Sequence, residues 1–228
     1  MIDIPSGKAR DFTPAVPLLW TYDPIVAAFT REARWRQALL RQVDPRCGDA
    51  IADVGCGTGS FLALLGGHAT APRLLVGIDP DTRILARARR KLGAAGVAAR
   101  LSEGRLRDAT ALLWAIGVNK VVSSLVFHQV SLAEKRAGLD AILAALVPGG
   151  ELHIADYGWQ RTRLMRGLFR MVQWVDGRED TQPNAEGVLP LLMQEAGFAQ
   201  VEETAVIPTL TGSISLYRGV RPAQLRPS

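Results

Sequence analysis

The chain has 228 residues, 48% of them apolar, with two cysteines and a formal charge of +5. That length suits one domain with extra segments, burying about 70 to 75% of the unfolded surface, and two cysteines exclude a disulfide framework. No window approaches the ~18 consecutive apolar residues of a membrane span, and MIDIPSGKARDF lacks the basic-then-apolar layout of a secretory signal, so a soluble protein of the reducing cytoplasm is expected.

Residues from about Pro14 to Val43, with Trp20, Tyr22, Phe29 and Trp35, read as a helical lid or buttress, set off by Pro45 and Gly48. From Asp49 to Asp156 short β-rich runs alternate with helical stretches. Ala50–Val54, Leu74–Asp79, Ala98–Ser102, Val118–Ser124 and Glu151–Asp156 are the predicted strands, with helices over Asp81–Ala95 and Ser131–Leu146. Ser131 caps the latter with Glu134 three residues on, and Pro148-Gly149-Gly150 ends it. This is α/β order, in which crossover helices force parallel strands. Beyond it, Trp159–Val175 reads as a helix, Asp176–Asn184 as a polar loop and Gly187–Ala196 as a helix closed by Gly197. Gln200–Ile207 and Gly212–Val220 finish the sheet. Without internal repeats or low-complexity tracts, residues 1–228 are expected to form a single domain of four parts: 1–48, 49–158, 159–188 and 189–228.

The sharpest signal is DVGCGTGS, Asp53 to Ser60. Gly55, Gly57 and Gly59 lie between a strand and a helical pattern, making a turn tight enough for backbone to approach a ligand. Twenty residues after Gly59, the run Leu74–Ile78 ends in Asp79, a carboxylate suited to accept from two ribose hydroxyls. Both features fall at the carboxyl edge of a parallel sheet, where ligands bind. First and third glycines stand four apart rather than five, which argues against a pyrophosphate-binding turn and NAD. Three histidines without a cysteine pair or H-E-x-x-H predict no metal site.

Tyr22-Asp23, DVGCGTGS, GIDPD (77–81), SSLVFHQV (123–130), LVPGGELHIAD (146–156) and EAGF (195–198) occur in an order that resembles the class I S-adenosylmethionine-dependent methyltransferases, in particular the bacterial quinone-biosynthesis-like and general methyltransferase-domain group. The resemblance implies a Rossmann-like, seven-stranded, mostly parallel sheet with an antiparallel last strand, helices on both faces and an N-terminal helical lid. It implies S-adenosyl-L-methionine as cofactor and S-adenosyl-L-homocysteine as product. Carried over, Gly55, Cys56, Gly57 and Gly59 pass beneath the methionine and ribose, Asp53 bonds through its carboxylate, and Asp79, followed by Pro80, holds the ribose hydroxyls. Asp108 and Ala109 lie near the adenine, Ser124 belongs to the same site, and Tyr22 closes over the methyl group. Two departures stand out. Arg105 follows Glu103-Gly104 where the family has Gly-Asp-Ala, leaving Asp108 as the adenine partner; Asn119-Lys120 replaces an aromatic-acidic pair at a strand start, with an effect expected on solubility rather than catalysis.

His128 occupies a position where the family often has a histidine. Either it acts as general base toward an acceptor proton of high pKa, or it packs beside the cofactor and proximity alone drives the reaction. His68 and His153 read as structural. Arg161–Val175 interleaves Arg161, Arg163, Arg166 and Arg170 with large apolar residues, so it can lie on an anionic membrane, cover an apolar acceptor or pack over the sheet edge. Insertions after the fifth strand shape acceptor pockets in the resembling fold, which implies a small lipophilic acceptor such as a quinone precursor or lipid and makes peripheral membrane contact through 161–175 an expectation. SLVFH stands where DNA-amine methyltransferases carry N/D-P-P-Y/F, so nucleic acid is not expected; oligomeric state leaves no signal. Competing readings are a non-catalytic S-adenosylmethionine-binding or regulatory module, for which Arg105 and Lys120 leave room, and an NAD-dependent oxidoreductase.

Overall fold

The structure, a computed structural model, describes residues 31–223. Strand β1 (Ala50–Val54) sits at its centre because both its faces are apolar: Ala50, Ala52 and Val54 enter one core cluster and Ile51 the other. Around it run β2 (Leu74–Asp79), β3 (Arg100–Glu103), β4 (Val118–Ser124), β5 (Leu146–Tyr157), β6 (Ala199–Thr209) and β7 (Gly212–Val220), in the order β3-β2-β1-β4-β5-β7-β6. β1 to β5 pair in parallel, and β7 runs antiparallel to both neighbours. The expected seven-stranded, mostly parallel sheet with a reversed last strand is therefore observed.

Helices α1 (Glu32–Val43), α2 (Ser60–Gly66), α3 (Thr82–Ala94) and α6 (Arg163–Asp176) contribute Trp35, Phe61, Leu85 and Phe169 to the core on one face. α4 (Ala109–Leu113), α5 (Leu132–Ala145) and α8 (Leu189–Glu195) supply Leu113, Ile142 and Leu192 to the other. Side-chain caps start the long helices where the sequence places them: Asp81 accepts from the N–H of Arg83 at 2.8 Å, and Ser131 from that of Glu134 at 3.3 Å.

The helix expected from Trp159 starts only at Arg163, after Thr162 caps it by accepting from the N–H of Met165, and four further expectations needed correction. β3 starts at Arg100, two residues after its predicted start, and is a half-exposed edge strand where alternation marks no sharp boundary. β5 begins at Leu146, directly after α5, because the end of β7 carries it through the glycines: the N–H of Gly149 donates to Arg221 O at 2.9 Å and that of Arg221 to Gly150 O at 2.8 Å. The predicted polar loop holds α7 (Arg178–Ala185), since burial of Thr181 and Asn184 overrides Pro183; Asn184 Nδ2 donates to Tyr157 O at 3.1 Å. Asn119 and Lys120 are structural rather than solubilising. Lys120 Nζ donates to the last carbonyls of α1, Val43 O at 2.9 Å and Asp44 O at 3.0 Å, and to Asp49 Oδ2 at 2.7 Å. Asn119 bridges Asp49 Oδ1 at 2.6 Å and the N–H of Ala50 at 2.7 Å. A cation at a helix C-terminus is also electrostatically favoured.

Candidate active site

Chain reversal after β1 depends on glycine. Gly55, at φ 81°, could carry no Cβ, which would fall 2.2 Å from Val126 Cγ2; at Gly57, φ 53°, a Cβ would meet nothing within 4 Å. The first glycine is thus required by packing, and the second leaves open space above its backbone. The N–H groups of Gly55 and Cys56 both donate to Ile78 O, at 2.8 and 3.0 Å, fastening the turn to β2. Asp79, at the end of β2, accepts from the N–H of Gly57 at 2.9 Å and of Asp81 at 3.0 Å, one on each oxygen. Burial raises the Asp79 carboxyl above the usual range, and these amide donors oppose it. From α3, Lys91 Nζ clasps the far side of the turn through Thr58 Oγ1 at 2.8 Å and Ser60 Oγ at 2.7 Å.

Asp53 is the anomaly. It is only 1% exposed, and among the described residues neither carboxylate oxygen has a hydrogen-bond partner. Burial pushes its pKa up to about 7, against the pull of Arg36 and with an added push from Asp79. A buried carboxylate without donors is costly in isolation, and a donor brought by a ligand would relieve that cost. Arg36, on α1, pairs with Glu32, lies 5.3 Å over the Trp35 ring, and has a buried Nε without a partner among the described residues. Asp53 thus feels one cation, Arg36, without a hydrogen bond to it. Sequence reasoning missed Arg36, which nothing distinguishes from Arg34 or Arg41 on the same helix.

The remaining predicted positions are spread along this edge. Cys56 is buried, and burial together with Asp53 and Asp79 holds its thiol far above the normal range. Pro80 is exposed. Asp108 closes a 3-10 turn after β3 by accepting from the N–H of Arg105 at 2.8 Å, whereas Ala109 is wholly buried with Leu139 and Ile142 in the core. Ser124 ends β4, half-buried, before Leu125, whose φ of 57° is uncommon for a residue with a side chain. Tyr22 lies outside the described residues. His68 bonds Thr70 at 2.9 Å, and His153, inside β5, lies between Gln42 and Glu151 at 3.1 and 3.2 Å.

At the carboxyl ends of β4 and β5, His128 is buried with Nδ1 2.7 Å from Asp156 Oδ1 and Nε2 3.5 Å from Asp176 Oδ2, the last residue of α6. Tyr157 meets its ring edge-on at 4.9 Å. Burial favours the neutral imidazole, but the Asp156 and Asp176 carboxylates override it and raise the pKa to about 9. Above this edge α6 presents an uncovered side: Leu164, Met171, Trp174 and Val175 are exposed, Trp174 by 87%, and Arg163, Arg166 and Arg170 occupy the adjoining side. Among the described residues no helix is long and apolar enough to cross a membrane, and no group of three or more His, Cys, Asp or Glu is placed to hold a metal.

Residues 51–150 match the methyltransferase-domain family. Those residues form a methyltransferase domain of the class I S-adenosylmethionine-dependent type. A demethylmenaquinone methyltransferase of Clavibacter sepedonicus is 28% identical over 83% of this chain and 80% of its own length. A carboxy-S-adenosyl-L-methionine synthase of Trichodesmium erythraeum is 35% identical over 46% of this chain and 41% of its own. The N-methyltransferase NodS of Bradyrhizobium japonicum, solved with S-adenosyl-L-homocysteine, shares the fold with a TM-score of 0.61 at 16% identity, over 84% of this chain and 87% of its own. S-adenosyl-L-methionine is the cofactor of the methyltransferase, and its sulfonium supplies an activated methyl group. The orphaned Asp53 carboxylate, the open space at Gly57 and the anchored Asp79 fit a nucleoside that carries an amino acid.

Proposed function

We propose that the methyltransferase acts on a small apolar acceptor, a quinone precursor or other lipid-like metabolite, drawn from an anionic membrane surface on which α6 rests. The observation that carries this reading is the side of α6 where Trp174 and Leu164, 87% and 72% exposed, adjoin three arginines. Apolar side chains beside cations are the composition of an interfacial helix. Further support comes from the demethylmenaquinone methyltransferase similarity. In this reading Asp53 receives the cofactor's ammonium and Arg36 its carboxylate. Gly55, Gly57 and Gly59 let backbone approach, Asp79 accepts from the ribose hydroxyls, Asp108 faces the adenine, and Tyr22 closes the site. Alignment of nucleophile with methyl and exclusion of water supply the rate, since such positioning can lower the barrier by ~7 to 11 kcal/mol.

Transfer of label from methyl-labelled S-adenosyl-L-methionine to demethylated quinones in anionic vesicles tests the activity; incorporation only into water-soluble acceptors overturns it. The membrane arm has its own readout. Each arginine near an anionic surface is worth about 1 kcal/mol, so the double change Arg163→Glu and Arg170→Glu should reduce co-sedimentation with phosphatidylserine vesicles by roughly tenfold or more. Affinity for S-adenosyl-L-homocysteine should stay unchanged in that variant. A wild-type chain that remains in the supernatant at low salt removes the membrane contact.

A further inference from the structure

The helices α6 and α7 follow β5 and meet the edge where a methyl acceptor must approach, so what fixes them fixes the geometry of that approach. Their buried polar ties to the core are few and specific. Asn184 reaches Tyr157 O; the N–H of the buried Gln160, itself bonded to Ser213 on β7, donates to Ala185 O at 2.9 Å; from α5, Lys135 Nζ donates to Asp180 O at 2.8 Å and to Val130 O. For the end of α6 the tie runs through His128. Asp156 is wholly buried and immobilised, its Oδ2 accepting from the N–H groups of Val126 at 3.0 Å and Phe127 at 2.7 Å and its Oδ1 from that of Tyr157 at 2.7 Å. His128 adds its Nδ1 to that anchor and turns Nε2 toward Asp176.

We propose that His128 is a positioning residue, a buried cationic bridge from Asp156 in the core to Asp176 at the end of α6, which holds the α6–α7 pair against the carboxyl edge of the sheet. Only the imidazolium has a hydrogen on both ring nitrogens, so only that form serves both carboxylates at once. A carboxylate at a helix C-terminus is also repelled by the helix dipole, and the bridge offsets that repulsion. Such a ring has no free lone pair with which to take a proton from an acceptor. The bridge and a general base therefore predict opposite alkaline behaviour: loss of the proton releases the bridge but would switch a base on.

The charged and titratable groups around the ring are Asp156 and Tyr157 from β5, Asp176 from α6, Lys135 from α5 and Asp180 from α7. Burial brings Lys135 down to about 8, so it titrates in the same range. Its neutral amine nevertheless keeps two hydrogens for the two carbonyls it serves, so its titration leaves those ties in place.

Amide hydrogen exchange of the full chain, corrected for the intrinsic pH dependence of exchange, is the test. In the wild type, protection of Arg163–Ala185 should hold from pH 7 to 8.5 and fall at least tenfold once pH passes about 9, while β1, β2 and β4 stay protected. His128→Gln should show the loose state already at pH 7, without a further alkaline step, and bind S-adenosyl-L-homocysteine within twofold of wild type. Asp176→Asn, at the partly exposed end of the bridge, should do the same and carries the test if the glutamine variant does not fold. Ring NMR shifts should report an imidazolium up to about pH 9. A neutral ring at pH 7.5, or unchanged protection of α6–α7 in Asp176→Asn, overturns the proposal.

Discussion

Asp79→Ala should weaken S-adenosyl-L-homocysteine binding by about 2 kcal/mol or more, roughly thirtyfold, because hydrogen bonds to a charged group carry ~1.5 to 3 kcal/mol each. Two losses combine. The ribose would lose its acceptor, and the N–H groups of Gly57 and Asp81, now held by the two carboxylate oxygens, would lose theirs, loosening the turn that carries the open face at Gly57. Asp79→Asn separates these effects, since one amide oxygen can still accept while the amide nitrogen cannot. Calorimetry should rank wild type above Asn and Asn above Ala. 5′-Methylthioadenosine, which has the ribose but lacks the amino acid, should lose affinity in parallel. Equal affinity of all three proteins would contradict the assignment of Asp79 to the ribose.

Asp53→Asn should have the opposite ligand profile: a large loss for S-adenosyl-L-homocysteine and almost none for 5′-methylthioadenosine, because only the former brings an ammonium. pH gives a second handle. In the free protein Asp53 titrates at about 7 rather than at 3.8, and the cofactor's ammonium pairs only with the ionised form. Affinity should therefore rise between pH 6 and pH 8 in the wild type and stay flat in the Asn variant. The same shift governs stability. A folded-state pKa above the unfolded value means that the stabilisation from this group is fully present below about 3.8 and is lost as pH climbs through about 7, where ionising a buried carboxyl has cost on the order of 4 kcal/mol. At pH 8 the free Asn variant should accordingly melt above the wild type. A lower melting temperature, or a pH-dependent Asn variant, would show that Asp53 finds a donor within the protein.

Strand bounds were legible wherever both faces of a strand are buried. β1 and β2 begin and end where their apolar runs do, because a parallel interior sheet demands such runs and a glycine follows the first while an aspartate ends the second; β4 and β7 also keep their expected bounds. β3 slipped because it is a half-exposed edge, and β5 because its first residues are held by backbone bonds to Gly149 and Gly150 rather than by side-chain pattern. α7 was unreadable for another reason: its polar residues are buried by the tertiary fold, with Asn184 meeting Tyr157, a partner distant in sequence. The site divides along the same line. The glycine turn and Asp79 are local chemistry at fixed spacing, so they could be read. Arg36 beside Asp53, and Asp156 with Asp176 beside His128, are juxtapositions made by folding across 17, 28 and 48 positions, which no single-chain pattern encodes.

Lys120 grips the foot of α1 at the amino edge of the sheet, a helix of 12 residues that also carries Arg36, whose charge is felt by the buried Asp53. The tie at its foot is made by the protein's own groups, so the helix is anchored without a ligand. In the proposed assignment, a ligand that reaches Arg36 diverts little of its binding energy to ordering this helix.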